Sequence, residues 1–100
     1  MKTTIEEKDG KYVVLFDGRL DTFAAAETEK DLQPLNDCEG RDIELDCSGM
    51  DYISSSGLRL FLSILKNAMS KGSHVYITGI NDKLASIFRM TGFNKLFEFK

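Results

Sequence analysis

Ser54-Ser55-Ser56, followed by Gly57, is the densest group of chemistry-bearing residues in the chain. A serine hydroxyl attacks a carbonyl when a base activates it, or accepts a phosphoryl group. The first reaction needs a histidine oriented by a carboxylate. The chain has one histidine, His74, at the start of a predicted strand, and it lacks Gly-x-Ser-x-Gly. No catalytic residue is therefore assigned. Asp46 and Asp51 have no evident third ligand, so they read as solvated or capping carboxylates and no metal is expected. The phosphate-cradling Gly-x-x-x-x-Gly-Lys-Ser/Thr loop is absent, and no cofactor is implied. Cys38 and Cys47 lack CxxC spacing and read as two reduced thiols.

Position gives the serines their interest, because they stand between a predicted strand and the most apolar predicted helix. The first N–H groups of a helix have no internal partners, and the macrodipole places about +0.5 charge there. Two readings follow. In one, Ser54 caps the helix and its neighbours satisfy the turn. In the other, a hydroxyl here is phosphorylated and gains about −1.5 to −2 charge where the helix tolerates an anion. Such a change alters the surface far more than the fold, as a docking switch requires. Spacing alone does not choose between them. Gly57, lacking a Cβ, is expected to let a foreign backbone approach.

The elements that must position this group are legible. Thr3–Glu7 and Lys11–Asp17 flank Asp9-Gly10 and read as a hairpin. Residues 18–21 break the pattern. A helix is expected from Thr22 to about Leu35, with Pro34 kinking or ending it. Asp42–Cys47 alternates polar and apolar and predicts a strand, with Ser48–Ser54 as a loop. From Ser55 to about Lys71, Leu58, Phe61, Leu62, Leu65, Ala68 and Met69 recur at helical spacing, and Gly72 ends the helix. Ser73–Thr78 is a strand, Asn81 caps a third helix that Gly92 stops, and Phe93–Lys100 closes as a last strand. Strands alternating with helices predict an α/β fold. Its mixed sheet has four to five strands, parallel except for the hairpin, with about three helices mainly on one face.

Composition narrows the classes further. One hundred residues, 42% hydrophobic and 29% charged, suit a single domain over residues 1–100. A net charge of −3 with interspersed signs excludes the basic footprint of a nucleic-acid binder. No apolar run has the length of a membrane span, and the charged start, Met1-Lys2-Thr3-Thr4-Ile5-Glu6-Glu7-Lys8, is unlike a signal peptide. A cytoplasmic location without membrane insertion is expected.

Several motifs in order resemble one family. Gly18-Arg19-Leu20-Asp21 is similar to its Gly-x-Leu/Ile-Asp after the second strand, and Leu45–Ile53 to its hydrophobic strand and loop. Ser54-Ser55-Ser56-Gly57-Leu58 is similar to its Asp-Ser-Ser/Thr-Gly-Leu. Gly79-Ile80, Leu84, Ile87-Phe88 and Thr91-Gly92-Phe93 are similar to its third helix and closing strand. Over nearly its whole length the chain resembles a STAS domain of the bacterial anti-sigma factor antagonists. That resemblance implies a partner-switching module that binds a serine kinase of the histidine-kinase-like ATPase fold, itself the anti-sigma factor, and so frees a sigma factor. The kinase would phosphorylate the domain and end the contact, and a metal-dependent serine phosphatase would restore it. The implied acceptor is Ser55, with Ser56 as the alternative. Ser54 stands where the family has Asp, which removes a carboxylate beside the acceptor.

The docking patch implied around Ser54, Ser55, Ser56 and Gly57 extends to nearby apolar residues. Met50, Tyr52 and Ile53 either pack beneath the loop or face solvent, and Met50 and Tyr52 are the expected contacts because such side chains favour interfaces. Asp21 and Phe23 join them if the loop after the second strand lies beside the serine helix, as loops of parallel sheets gather at one strand end. The competing reading is a structural STAS subunit of a lipid transporter or another complex, without phosphorylation.

Overall fold

The computed structural model describes residues 1–100. Strand β1 (Lys2–Lys8) turns through Asp9 and Gly10 into β2 (Lys11–Leu20). Both turn residues have positive φ, 54° and 77°, the primed-turn geometry whose twist matches a tight hairpin. Helix α1 (Thr22–Asp31) and a 3-10 turn (Gln33–Asp37) lead to β3 (Ile43–Ile53) and α2 (Ser55–Ser70). Strand β4 (Val75–Thr78), α3 (Asp82–Thr91), a 3-10 turn (Phe93–Lys95) and β5 (Glu98–Phe99) complete the chain.

The five strands lie in sequence order, with β1 antiparallel to β2 and all other neighbours parallel. Successive crossovers of one hand, each moving one strand further along the sheet, return every helix to the same face. Burial matches that arrangement: Val14, Phe16, Leu20, Ile43, Leu45, Val75 and Ile77 are buried towards the helices. Alternate residues Val13, Leu15, Glu44 and Tyr76 keep partial exposure on the open face. There Glu44 accepts from Lys11 at 2.7 Å and from Lys100 at 3.1 Å. The Lys11 hydrogen bond holds the Glu44 carboxyl below the usual range, opposed by burial and helped by Lys100.

At the centre of the core, Phe61 of α2 has no exposed surface, and its ring lies 5.4 Å from Phe16 and 6.4 Å from Phe88 and Phe97. Both cysteines are buried and free. Burial first, then the charge on Asp46, pushes the Cys47 thiol up to about 12, so it stays protonated packing material.

Four boundaries differ from expectation. Strand β2 does not break at Gly18; that glycine adopts φ 117° and the strand continues to Leu20. Helix α1 ends at Asp31, and Pro34 sits at the start of the 3-10 turn, where its missing N–H costs nothing. The last strand contracts to Glu98–Phe99 because Phe93–Lys95 form a 3-10 turn.

The fourth difference matters most. Residues 48–53 are not a loop but the far half of β3. Opposite β2 the register runs Leu15↔Asp46 then Asp17↔Gly49, and Gly18↔Met50 then Arg19↔Tyr52, so β3 carries an extra residue at each of two bulges. Each bulge shifts the inward set by one, and Cys47, Met50 and Ile53 are the buried residues. Asp46 steadies the first bulge, accepting from the Ser48 N–H at 2.9 Å and the Ser48 hydroxyl at 2.7 Å. At Gly49 a Cβ would meet the Phe16 carbonyl oxygen at 2.6 Å. Gly49→Ala is therefore expected to destabilise the domain by about 1–3 kcal/mol, read as a lower urea midpoint at unchanged slope.

Candidate docking site

The site forms where β2 and β3 end side by side. Leu20 pairs with Ile53, and the Ser54 N–H donates to the Leu20 carbonyl at 2.9 Å. Each strand runs straight into a capped helix. Asp21 caps α1 by accepting from the Ala24 N–H at 2.8 Å. Ser54 caps α2, its hydroxyl accepting from the Gly57 N–H at 3.1 Å. The first turns of α1 and α2 are thus neighbours. Between them runs a groove of about 370 Å³ lined by Thr22, Ala25, Glu29, Ser56, Arg59 and Ser63, among others.

The three serines have different fates. Ser54 is buried, only 8% exposed, and committed to capping. Ser56 is half-buried, and its hydroxyl accepts from Arg59 Nη2 at 3.3 Å. Ser55, the first residue of α2, is exposed. Phe23, 86% exposed, stands on the first turn of α1, the neighbouring helix start. Tyr52 is half-buried under Arg19, whose guanidinium carbon lies 4.5 Å from the ring centroid.

Two expected contacts need correction. Met50 is 2% exposed, turned inward by the bulges, so it packs under the site and presents nothing to a partner. Gly57 is buried as well, and a Cβ there would lie 2.8 Å from Ile53 and 2.9 Å from Leu20. Its missing side chain seats α2 on the chain's own strands, and no foreign backbone reaches it. Arg19 and Arg59 were not among the expected site residues. An exposed arginine carries no periodic or turn signal, so only the fold reveals what it stands beside.

No histidine accompanies the serines. His74 precedes β4 at the opposite strand end, its Nδ1 3.7 Å from Glu98. Asp46 is occupied at the bulge. What remains is a solvent-facing hydroxyl one turn from an exposed arginine, on backbone fixed by two caps. That arrangement suits recognition and modification by another protein.

Family comparison agrees with this geometry. The STAS domain profile matches residues 2–100. The chain belongs to the STAS domain family. It is 32% identical over 96 residues to the anti-sigma-B factor antagonist of Staphylococcus aureus, across 96% of this chain and 87% of that protein. The structure of an anti-sigma-factor antagonist (STAS) domain protein from Planctomyces limnophilus superposes with a TM-score of 0.88 at 13% identity, covering 98% of this chain and 87% of that one. The Bacillus cell fate determinant SpoIIAA in its phosphorylated form superposes at 0.73 with 14% identity, over 99% and 91% of the two chains. Anti-sigma factor antagonists of the STAS family are binding proteins rather than enzymes, and this STAS domain belongs with them in a family of non-enzymatic binding modules. No helix of this STAS domain is long and apolar enough to cross a membrane.

Proposed function

We propose that this STAS domain is a partner switch. Unmodified, it docks the α1–α2 end onto an anti-sigma factor that is also a serine kinase of the histidine-kinase-like ATPase fold, and a sigma factor is set free. Phosphorylation of Ser55 ends the contact. The observation that carries this reading is the exposure of Ser55 between two residues committed elsewhere. It alone among the three serines offers a hydroxyl that neither caps the helix nor holds an arginine. The naming of the Staphylococcus aureus relative as an anti-sigma-B factor antagonist supports the partner class. The phosphorylated form of SpoIIAA supports the chemistry.

In the forward step the Ser55 oxygen attacks the γ-phosphorus of ATP, the hydroxyl proton departs, and ADP leaves. In the reverse step a metal-dependent serine phosphatase adds water, returning serine and inorganic phosphate. Docking contacts in this reading are Asp21, Phe23 and Tyr52 around Ser55 and Ser56, over the buried Ser54 cap. Ser54 supplies no charge beside the acceptor, so the kinase must meet Ser55 through shape and through neighbouring groups.

The test is direct. Incubation with the co-purifying kinase and ATP should raise the intact mass by one phosphate, and Ser55→Ala should abolish the gain. A phosphate mapped to Ser56 moves the acceptor by one residue. A stable complex with transport subunits and no modification replaces the switch with a structural role.

A further inference from the structure

We propose that Arg59 is an internal counter-ion for a phosphate on Ser55, a latch that holds the modified side chain against the first turns of α2. The inference rests on Ser55 being the acceptor, as proposed above.

Arg59 lies four residues after Ser55 and three after Ser56, which puts all three on one side of the helix. Its Nη2 donates to the Ser56 hydroxyl at 3.3 Å, a long bond to a neutral acceptor. The four ion pairs of the chain involve Lys11, Arg41, His74 and Lys100, and none involves Arg59. Glu29 lines the same groove from α1 without pairing to it. An exposed guanidinium one turn from the acceptor thus has only a neutral hydroxyl as partner.

Phosphorylation would change that balance. A phosphate offers three acceptor oxygens that the planar guanidinium fork meets two at a time. Hydrogen bonds to an ionised acceptor are roughly twice as strong as neutral ones, so Arg59 leaves Ser56 for the new group. An acid four residues ahead of a base is also the favourable order along a helix. On α1, Glu29 lines the same groove and Asp21 caps the neighbouring first turn. Both are carboxylates, so a phosphate without Arg59 faces a net negative rim.

The latch binds the dianion better than the monoanion, so it lowers the phosphate's affinity for its last proton. The experiment uses the full chain with phosphoserine placed at position 55 during translation, followed by phosphorus NMR across pH. Arg59→Gln is expected to raise the proton affinity of the phosphate about two-fold, and Arg59→Lys should recover part of the difference. About 1 M salt should shrink the gap, and the Arg59 Nε–H resonance should move with the same titration. Arg59 is exposed, so these variants keep the fold. Coincident titrations for the parent chain and Arg59→Gln overturn the latch. No kinase enters this measurement, so a kinase that ignores Ser55 refutes the switch without moving these curves.

Discussion

Ser55→Glu is expected to weaken binding of this STAS domain to the proposed kinase partner by about a hundred-fold, near the low end of the 2–5 kcal/mol that an unpaired charge costs at an interface. The low end applies because glutamate brings one charge where a phosphate brings nearly two. Thermal stability should hardly change. Ser55 is exposed, and an acidic residue in the first turn of a helix interacts favourably with its amino end. Titration calorimetry paired with thermal unfolding separates the two effects. Ser55→Ala should bind as the parent does while resisting modification. If Ser55→Glu and the parent bind equally well, Ser55 lies outside the contact and the switch reading fails.

Phe61→Ala is the expected extreme on the stability side. The ring is fully buried and sits among Phe16, Phe88 and Phe97, joining strand β2 to α3 and the chain's end. Truncation removes the transfer free energy of the ring and leaves a cavity that three other aromatic side chains cannot close. A loss of about 3–5 kcal/mol is expected, a large part of the roughly 5–15 kcal/mol of a typical domain. Urea denaturation followed by circular dichroism reads it. Phe23→Ala is the internal contrast, because a ring 86% exposed contributes little to folding. A small loss at Phe61 would mean that the aromatic cluster is not the centre of the core.

Much of the architecture was legible because period and punctuation agree. The alternation Asp42–Cys47, the helical recurrence from Leu58 to Ala68 and the Asp9-Gly10 turn each point to one element, and each is present. Reading failed where β3 is bulged. Ser48, Gly49 and Asp51 are turn-forming residues, and two extra residues destroy the two-residue period, so the far half of the strand resembled a loop. The same bulges hid the fate of Met50, whose neighbours in sequence give no hint that it turns inward. The role of Gly57 was misplaced for a related reason: the close approach is real, but the approaching groups are Ile53 and Leu20 of the same chain. Arg59 looked like an ordinary residue on the polar side of a helix until the fold showed its hydroxyl partner.

The seating of α2 has a consequence for how fast such a switch can act. Gly57 lies flush on Leu20 and Ile53, and Ser54 is tied by its N–H to one strand and by its hydroxyl to the helix it begins. Ser55 therefore stands on backbone anchored to both β2 and α2. A visiting protein meets a surface already in its final shape and need not wait for a hinge or a refolding segment. In the proposed cycle the tempo then belongs to the enzymes that write and erase the mark.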